Sequence, residues 1–273
     1  MSRLISVGLT PCPNDTFTWG GIALGHIRSP LRLSFRYEDI QQLNELAARG
    51  EVDVVKISFF QYAFLPRGVY RLLPAGAALG YGVGPLLIAP KPLSHKELLN
   101  IPIGVPGRGT TAYSLLHFYL PEVKNVIEIR YDKLLTHLAK RDIGAAVIIH
   151  ESRFTYREKG FICLQDLGAY WTAQTSYPIP LGGIAVKRHV PKTLLARLLR
   201  RSLKAAWKRK IPNLQPYISN FAQEMEPSVQ EAHIQLYVNH FTYRLGSTGW
   251  EAVRYYLRWV RAHFQNTLER QAL

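Results

Sequence analysis

The chain contains 273 residues, which exceeds the usual size of one domain and suits two. Hydrophobic residues make up 47% of it and charged residues 19%, a composition that excludes a disordered or low-complexity protein. No segment approaches the roughly 18 consecutive apolar residues of a membrane helix. The apolar run Leu4–Leu9 is interrupted at once by Pro11 and Pro13, unlike the core of a signal peptide. We therefore expect a cytoplasmic protein without a membrane partner.

The net charge of +15 is most uneven in one stretch. Between Lys187 and Lys210 there are ten basic residues and no acidic one. Such a stretch fits a surface for nucleic acid or anionic lipid. It also fits the solvated face of an amphipathic helix, because Leu195, Leu199 and Leu203 recur at helical spacing. We favour the helix face, since no nucleic-acid motif accompanies the charges, and expect no nucleic-acid partner.

Several kinds of site are absent from the sequence. The two cysteines, Cys12 and Cys163, do not form a Cys-x-x-Cys pair, which excludes a zinc ribbon and a thioredoxin-like motif. A long-range disulfide and two thiols in a reducing compartment fit equally well. No His-x-x-x-His or His-Glu-x-x-His spacing occurs, so we expect no metal. The sequence also lacks the esterase elbow, the P-loop and the dinucleotide fingerprint.

The first part of the chain alternates strand-like and helix-like segments. In chain order the predicted elements are a strand at Leu4–Leu9, a helix at Asp15–Leu24, a strand at Leu31–Tyr37, a helix at Ile40–Ala48, a strand at Asp53–Ile57 and a helix at Phe59–Phe64. This β-α-β-α-β order predicts a parallel sheet with right-handed crossovers.

A second α/β series begins at Ile101. Its predicted elements are strands at Ile101–Val105, Val126–Tyr131 and Ala145–Ile149 and helices at Thr110–Tyr119 and Asp132–Ala139. Two glycine-rich apolar passages flank this series, at Ala77–Pro90 and Pro178–Val186, and we expect both to be extended crossings between lobes. After Lys187 the pattern is nearly all helical.

These patterns predict two α/β lobes with mainly parallel sheets, a hinged cleft and a helical C-terminal tail. Lobe 1 would comprise residues 1–88 and 187–273, and lobe 2, residues 89–186, would be inserted into it. Ligands of such sheets bind beyond the carboxyl ends of the strands. Closure of two lobes around a ligand is a common motion.

Three junctions between a strand end and a helix start are polar in an apolar setting. They are Pro11–Thr16, which contains Asn14, then Lys56–Ser58, and Pro106–Thr111. Backbone N–H groups and small hydroxyls at a helix start attract carboxylate or phosphate, and the two threonines that end the third junction are the best candidates. Ordinary N-capping explains any one junction. Three of them at one cleft would form a site for a small anion.

One histidine has a distinctive context. The apolar run Val147–Ile149 ends in His150 and then in charged residues. His150 is therefore predicted at the carboxyl end of a buried strand, where a neutral imidazole can accept a proton near neutral pH. The alternative is a structural histidine bonded to a neighbouring carboxylate or carbonyl. The other histidines lie on helix-like or loop segments without this context.

Five segments, in order along most of the chain, carry a family resemblance. They are Pro-Cys-Pro-Asn-Asp-Thr-Phe at 11–17, Lys-Ile-Ser at 56–58, Ala-Leu-Gly-Tyr-Gly-Val-Gly-Pro-Leu at 78–86, Pro-Gly-Arg-Gly-Thr-Thr-Ala-Tyr at 106–113 and Ile-Ile-His-Glu-Ser-Arg-Phe-Thr-Tyr at 148–156. At these segments the sequence resembles the 1,4-dihydroxy-6-naphthoate synthase family. The string from His150 to Tyr156 is the most specific of them.

The resemblance implies a type 2 periplasmic-binding-protein fold that serves as a cytoplasmic lyase without a metal or organic cofactor. It implies that the substrate is cyclic dehypoxanthinylfutalosine, a small carboxylate, and that the products are 1,4-dihydroxy-6-naphthoate and dihydroxyacetone. The general base of the family falls on His150. Together with the first junction, the candidate substrate-binding residues are Lys56, Ile57, Ser58, Thr110, Thr111 and Asn14.

Two other functions stay open. Chorismate dehydratase belongs to the same pathway and fold, but its family lacks the string from His150 to Tyr156. A non-catalytic protein that binds small carboxylates would be expected to carry an export signal. The sequence predicts neither an oligomeric state nor roles for Cys12, Glu151 and Arg153.

Overall fold

The computed structural model of the protein describes residues 3–222 and 225–269. The chain folds into two compact units: unit 1 consists of residues 1–79 and 182–273, and unit 2 of residues 80–181.

The chain changes units earlier than residues 88 and 187, where the sequence pattern places the crossings. Strand pairing explains both differences. Leu86–Ala89 pairs with strands of unit 2, whereas Gly182–Lys187 pairs with strands of unit 1.

The described residues contain short strands and mostly short helices. The strands are β1 (Leu4–Leu9), β2 (Arg32–Tyr37), β3 (Val54–Ser58), β4 (Tyr70–Leu72), β5 (Ala78–Gly80), β6 (Leu86–Ala89), β7 (Ile103–Val105), β8 (Val126–Glu128), β9 (Ala145–Ile148), β10 (Ile162–Asp166) and β11 (Ile179–Lys187). The helices are α1 (Pro13–Ala23), α2 (Ile40–Ala48), α3 (Phe59–Tyr62), α4 (His95–Leu99), α5 (Thr111–Tyr119), α6 (Leu134–Ala139), α7 (Ser152–Thr155), α8 (Leu167–Thr175), α9 (Lys192–Trp207), α10 (Leu214–Phe221), α11 (Pro227–Tyr237), α12 (His240–Tyr243) and α13 (Gly246–Glu269).

Most predicted elements are present, with shifted ends. The first strand and the helix Ile40–Ala48 have their predicted bounds. The predicted helix at Asp132–Ala139 is wrong in its first turn, because Tyr131–Lys133 forms a 3-10 turn before α6. The helix predicted at Phe59–Phe64 is present but shorter than predicted, since α3 ends at Tyr62.

The sheet of unit 1 has the order β2-β1-β3-β11-β4, with β5 paired to β11. β1 is parallel to β2 and to β3, whereas β11 is antiparallel to β3 and β4. Because β1, β2 and β3 run in the same direction, the residues that follow Leu9, Tyr37 and Ser58 lie at one edge of this sheet.

Helices α1 and α9 cover one face of the sheet of unit 1. Trp19, Val54 and Leu199 belong to the buried cluster between them, and removal of such a side chain typically costs about 2–5 kcal/mol. On α9, Leu195 is buried whereas Arg197 is exposed. The prediction that this basic stretch is an amphipathic helix is confirmed.

The sheet of unit 2 has the order β10-β6-β9-β7-β8. β7 is parallel to β8 and β9, and β6 is antiparallel to β9 and β10. All four residues of β9 are fully buried, which is typical of a central strand. The end of β9 is therefore held by neighbours on both sides.

Both sheets are mixed, so the prediction of mainly parallel sheets is wrong in this respect. The parallel pairs come from the predicted β-α-β units. The antiparallel pairs come from β6 and β11. These strands form within the two glycine-rich passages that were expected to be extended crossings. Each passage enters a sheet because its backbone N–H and C=O groups need partners once they are buried.

No helix in the described part of the chain combines the length and the hydropathy that crossing a membrane requires.

Candidate active site

The turn after β9 carries His150. β9 ends at Ile148, and His150 follows with a φ of 56°, which is the left-handed region that non-glycine residues seldom adopt. Its imidazole is half-buried, and its ring centroid lies 4.9 Å from that of Tyr131 in an edge-to-face arrangement. The structure thus places His150 at the carboxyl end of a central strand, where the sequence predicts it.

Thr110 and Thr111 begin α5 in the same unit. Thr110 is the N-cap: its Oγ1 accepts a hydrogen bond from the N–H of Tyr113 at 3.3 Å and donates one to the carbonyl of Gly107 at 2.6 Å. Thr111 Oγ1 donates to the carbonyl of Leu181 at 2.7 Å. Both hydroxyl protons therefore point to carbonyls of unit 2. The groups that this helix start offers to an anion are the backbone N–H groups of its first turn.

Arg108 brings a positive charge to the loop before α5. Its backbone N–H donates to Glu128 Oε2 at 2.9 Å, and its guanidinium donates to the carbonyl of Val126 at 2.8 Å and lies 5.9 Å from the ring centroid of Tyr113. Burial, together with the charge of Arg108, lowers the pKa of His117 to about 4. His117 is therefore neutral at physiological pH and does not titrate near pH 7.

In unit 1 the ammonium group of Lys56 is paired inside the protein. Its Nζ lies 2.6 Å from Asp15 Oδ1, and the two side chains are only 6% and 3% exposed. Asp15 also accepts hydrogen bonds from Thr10 N at 3.2 Å, Thr10 Oγ1 at 2.7 Å and Asn14 Nδ2 at 3.1 Å. A buried ion pair persists only when its partners are satisfied in this way. The pair ties the start of α1 to β3.

The other predicted contacts of unit 1 are also largely enclosed. Ile57 is fully buried. The N–H of Ser58 donates to Asn44 Oδ1 at 3.0 Å, and its hydroxyl accepts from the N–H of Gln61 at 3.0 Å as the cap of α3. Asn14 is half-buried at the first turn of α1. Unit 1 therefore brings Asn14, Lys56 and Ser58 to one sheet edge, but buries most of their polar groups.

Two residues at this edge were missed by the sequence analysis. Asp15 lies inside the first polar junction, but nothing in the pattern indicates its partner Lys56. Tyr37 ends β2, and its hydroxyl is hydrogen-bonded to that of Tyr217 while its ring lies 3.9 Å from that of Phe221. Burial, the Tyr217 hydroxyl and the charge of Asp15 raise the pKa of Tyr37 far above its usual value, so it remains a phenol.

No cluster of three or more His, Cys, Asp or Glu side chains that could hold a metal ion occurs in residues 3–222 and 225–264. Neither Cys12 nor Cys163 takes part in a disulfide.

Comparisons with known proteins identify the family. Residues 5–262 match the model of a family described as menaquinone biosynthesis. A curated 1,4-dihydroxy-6-naphthoate synthase of Thermus thermophilus is 40% identical over 252 residues, which cover 91% of each chain. A curated enzyme of the same name from Streptomyces coelicolor is 36% identical over 260 residues, which cover 92% of this chain and 90% of that protein.

Solved structures support the fold. The crystal structure of protein AF1704 from Archaeoglobus fulgidus superposes with a TM-score of 0.87 at 29% identity and covers 95% of this chain and 97% of that one. The periplasmic aliphatic sulphonate-binding protein of Escherichia coli superposes with a TM-score of 0.69 at 9% identity and covers 98% and 88%. The fold is therefore of the periplasmic-binding-protein type, and the chain belongs to the menaquinone biosynthesis family.

Proposed function

We propose that this protein is a 1,4-dihydroxy-6-naphthoate synthase, a carbon–carbon lyase that converts cyclic dehypoxanthinylfutalosine to 1,4-dihydroxy-6-naphthoate and dihydroxyacetone. The observation that carries the proposal is the position of His150 at the end of β9, in a chain whose curated relatives of that name align over nine-tenths of its length. The proposal includes the expectations that the enzyme is cytoplasmic and needs no cofactor.

His150 acts as the general base. The residue is half-buried rather than enclosed, and a neutral imidazole accepts a proton near neutral pH. After proton removal a carbon–carbon bond of the substrate breaks, and formation of the aromatic naphthoate ring supplies driving force. Base catalysis of this kind typically contributes about 10²–10⁴-fold to the rate.

The start of α5 binds the substrate carboxylate. Because the hydroxyls of Thr110 and Thr111 donate to the carbonyls of Gly107 and Leu181, they hold the loop in shape. The carboxylate is then bound by the N–H groups of Thr111 and Ala112, which carry the partial positive charge of the helix, because that of Tyr113 is already capped by Thr110. The guanidinium of Arg108, in the preceding loop, adds to the positive potential there.

The residues of unit 1 contribute in a different manner. The ammonium group of Lys56 is committed to Asp15 and the residue is only 5% exposed, so any contact of Lys56 with substrate falls to its backbone. Ser58 and Asn14 lie at the same sheet edge as candidate contacts for the polar part of the substrate. That residues of both units serve one substrate molecule stays a prediction.

An assay of the purified protein tests the proposal. The protein is incubated in parallel with cyclic dehypoxanthinylfutalosine and with chorismate, and products are identified by mass spectrometry. We expect the naphthoate from the first and no product from the second. Product from chorismate alone would make the protein a dehydratase. Binding of the futalosine derivative without turnover would make it a binding protein.

The variant His150→Asn tests the role of the base. Asparagine tolerates the left-handed backbone of this turn better than alanine, so the fold should be kept. We expect kcat to fall by about 10²–10⁴-fold while the melting temperature is unchanged. His137→Asn is the matched control, since His137 is an exposed histidine of the same unit that contacts Asp142. Wild-type turnover by His150→Asn would refute the assignment.

A further inference from the structure

The guanidinium of Arg153 joins three segments of unit 2. Arg153 lies in α7, three residues after His150. Its Nη2 donates to Asp166 Oδ2 at 2.7 Å and to the carbonyl of Gly82 at 3.2 Å, and its Nη1 donates to the carbonyl of Gly84. The Arg153 side chain is 14% exposed, and that of Asp166 is 23% exposed. Charge-assisted bonds in such a partly desolvated setting are stronger than bonds on the open surface.

The topology of the sheet explains why these segments meet. β6 runs antiparallel to both β9 and β10, and Leu86 at its start pairs with Ile148 on one side and with Asp166 on the other. The residues before β6, the turn after β9 and the end of β10 therefore lie at the same end of the sheet. From the turn after β9, Arg153 bonds to the residues before β6 and to the end of β10.

The acceptors of Arg153 are themselves fixed. Asp166 Oδ1 accepts from the N–H groups of Gly168 at 3.0 Å and Ala169 at 2.9 Å, which caps α8. The backbones of Gly84 and Gly168 are so close that a Cβ on Gly84 would lie 2.1 Å from the Gly168 nitrogen. Neither the capping carboxylate nor the Gly84 carbonyl can shift without disturbing this contact.

The turn that carries His150 needs such an anchor. His150 has a left-handed backbone, and the bond from Arg153 N to the His150 carbonyl is long, at 3.3 Å. α7 is a single helical turn of four residues, so it cannot fix its own orientation through a long run of backbone hydrogen bonds. A residue in an unfavourable conformation persists only where the surrounding structure holds it.

We propose that Arg153 is a positioning residue that holds the His150 imidazole in its reactive place by fastening α7 to Gly82, Gly84 and Asp166. This role rests on the proposed function, in which His150 is the general base. The planar guanidinium satisfies three acceptors in different directions, which an ammonium group on a flexible stem does less well.

The activity test compares Arg153→Ala, Arg153→Lys and the control Arg157→Ala. Arg157 follows four residues later and is exposed. It contacts the ring and hydroxyl of Tyr156 rather than Gly82 or Gly84. We expect Arg153→Ala to lower kcat by about 10- to 100-fold with little change in KM, because a displaced base misses its proton. Arg153→Lys should recover part of the loss, and Arg157→Ala should stay within about twofold of wild type.

A double variant separates positioning from general destabilisation. If Arg153 acts through His150, adding Arg153→Ala to His150→Asn should cause no further loss of kcat. A further tenfold loss in that background would overturn the proposal. So would wild-type kcat in Arg153→Ala while His150→Asn is inactive, and that result would leave the proposed function intact.

A spectroscopic measurement keeps the test independent of turnover. In protein with isotope-labelled histidine, the resonances and the titration of the His150 ring are followed by NMR. We expect both to change in Arg153→Ala and to be unchanged in Arg157→Ala. An unchanged His150 ring in Arg153→Ala would overturn the positioning role, whatever substrate the enzyme uses.

Discussion

The two units prepare the ends of their strands in opposite ways. In unit 1 the polar groups that follow β1 and end β3 are bonded to one another below the surface, with the Asp15–Lys56 pair as the clearest case. In unit 2, His150 lies two residues after the end of the central strand, is half-buried and has a left-handed backbone. The difference teaches that polar residues at equivalent sheet edges can be used differently: those of unit 1 largely satisfy one another, whereas in the proposed function His150 of unit 2 exchanges a proton.

Solvation is the physical basis of this contrast. A buried charge loses its hydration and persists only with a partner, so its removal is felt mainly as a loss of stability. A histidine that is only partly buried can exchange a proton with its surroundings. Substitutions in unit 1 should therefore change the free energy of unfolding, and substitution of His150 should change kcat.

The largest expected effect on stability is that of Lys56→Met. This change leaves the Asp15 carboxylate buried without its cation, although Thr10 and Asn14 still donate to it. We expect a loss of about 3–5 kcal/mol in the free energy of unfolding, measured with urea.

A control variant and a double variant accompany the Lys56→Met measurement. Lys204→Met, at an exposed position on α9, should change stability by less than about 0.5 kcal/mol. Asp15→Asn combined with Lys56→Met should cost less than the sum of the two single changes, because no unpaired charge remains. A stable Lys56→Met protein with an impaired kcat would reverse the contrast between the units.

A smaller effect is expected at the opposite edge of the same sheet, where Asp53 precedes β3. Its carboxylate accepts from Ser6 N at 3.1 Å and Ser6 Oγ at 3.2 Å and lies near Lys187 and His189. Burial alone would raise the pKa of Asp53, but the hydrogen bonds from Ser6 and the electrostatic contributions of Lys187 and His189 outweigh it and lower that pKa. The ionised carboxylate is therefore stabilised in the folded state.

The sign of the pH dependence follows from that lowered pKa. The stability that Asp53 contributes is complete above the unfolded carboxyl pKa of about 3.9 and is lost as the pH falls through the folded value. We expect Asp53→Asn to be less stable than wild type by about 1–3 kcal/mol at neutral pH. Urea unfolding at several pH values should show this difference shrinking below about pH 4. A difference that is constant with pH would mean that the charge is irrelevant.

Local pattern was enough to predict much of the fold. β1 and α2 have their predicted bounds because hydrophobic periodicity is read within a few residues. The direction of β11 was not predictable, since it depends on pairing with β3 and β4, which lie far away in the sequence. The glycine-rich passages also lack the alternation that marks a strand.

The same distinction between local pattern and long-range pairing applies to the candidate site. The position of His150 was predictable because an apolar run ends abruptly there. The Asp15 partner of Lys56 lies 41 residues away, and the Gly84 acceptor of Arg153 lies 69 residues away. Such pairs are set by strand order and register, which a single sequence does not display.

The smallest expected effect is that of Thr111→Val, and it tests whether the inward-bonded hydroxyl of Thr111 stabilises unit 2 as the Asp15–Lys56 pair stabilises unit 1. Valine keeps the shape but removes the bond to the Leu181 carbonyl, so we expect a loss of about 1 kcal/mol in stability. KM should change little, because the Thr111 hydroxyl donates to that carbonyl and, in the proposed function, backbone N–H groups bind the carboxylate. Thr111→Ser, which keeps the hydroxyl, is the control. If KM rose tenfold in Thr111→Val alone while stability was unchanged, the Thr111 hydroxyl would be a substrate contact, and the proposal that backbone N–H groups alone bind the carboxylate would be wrong.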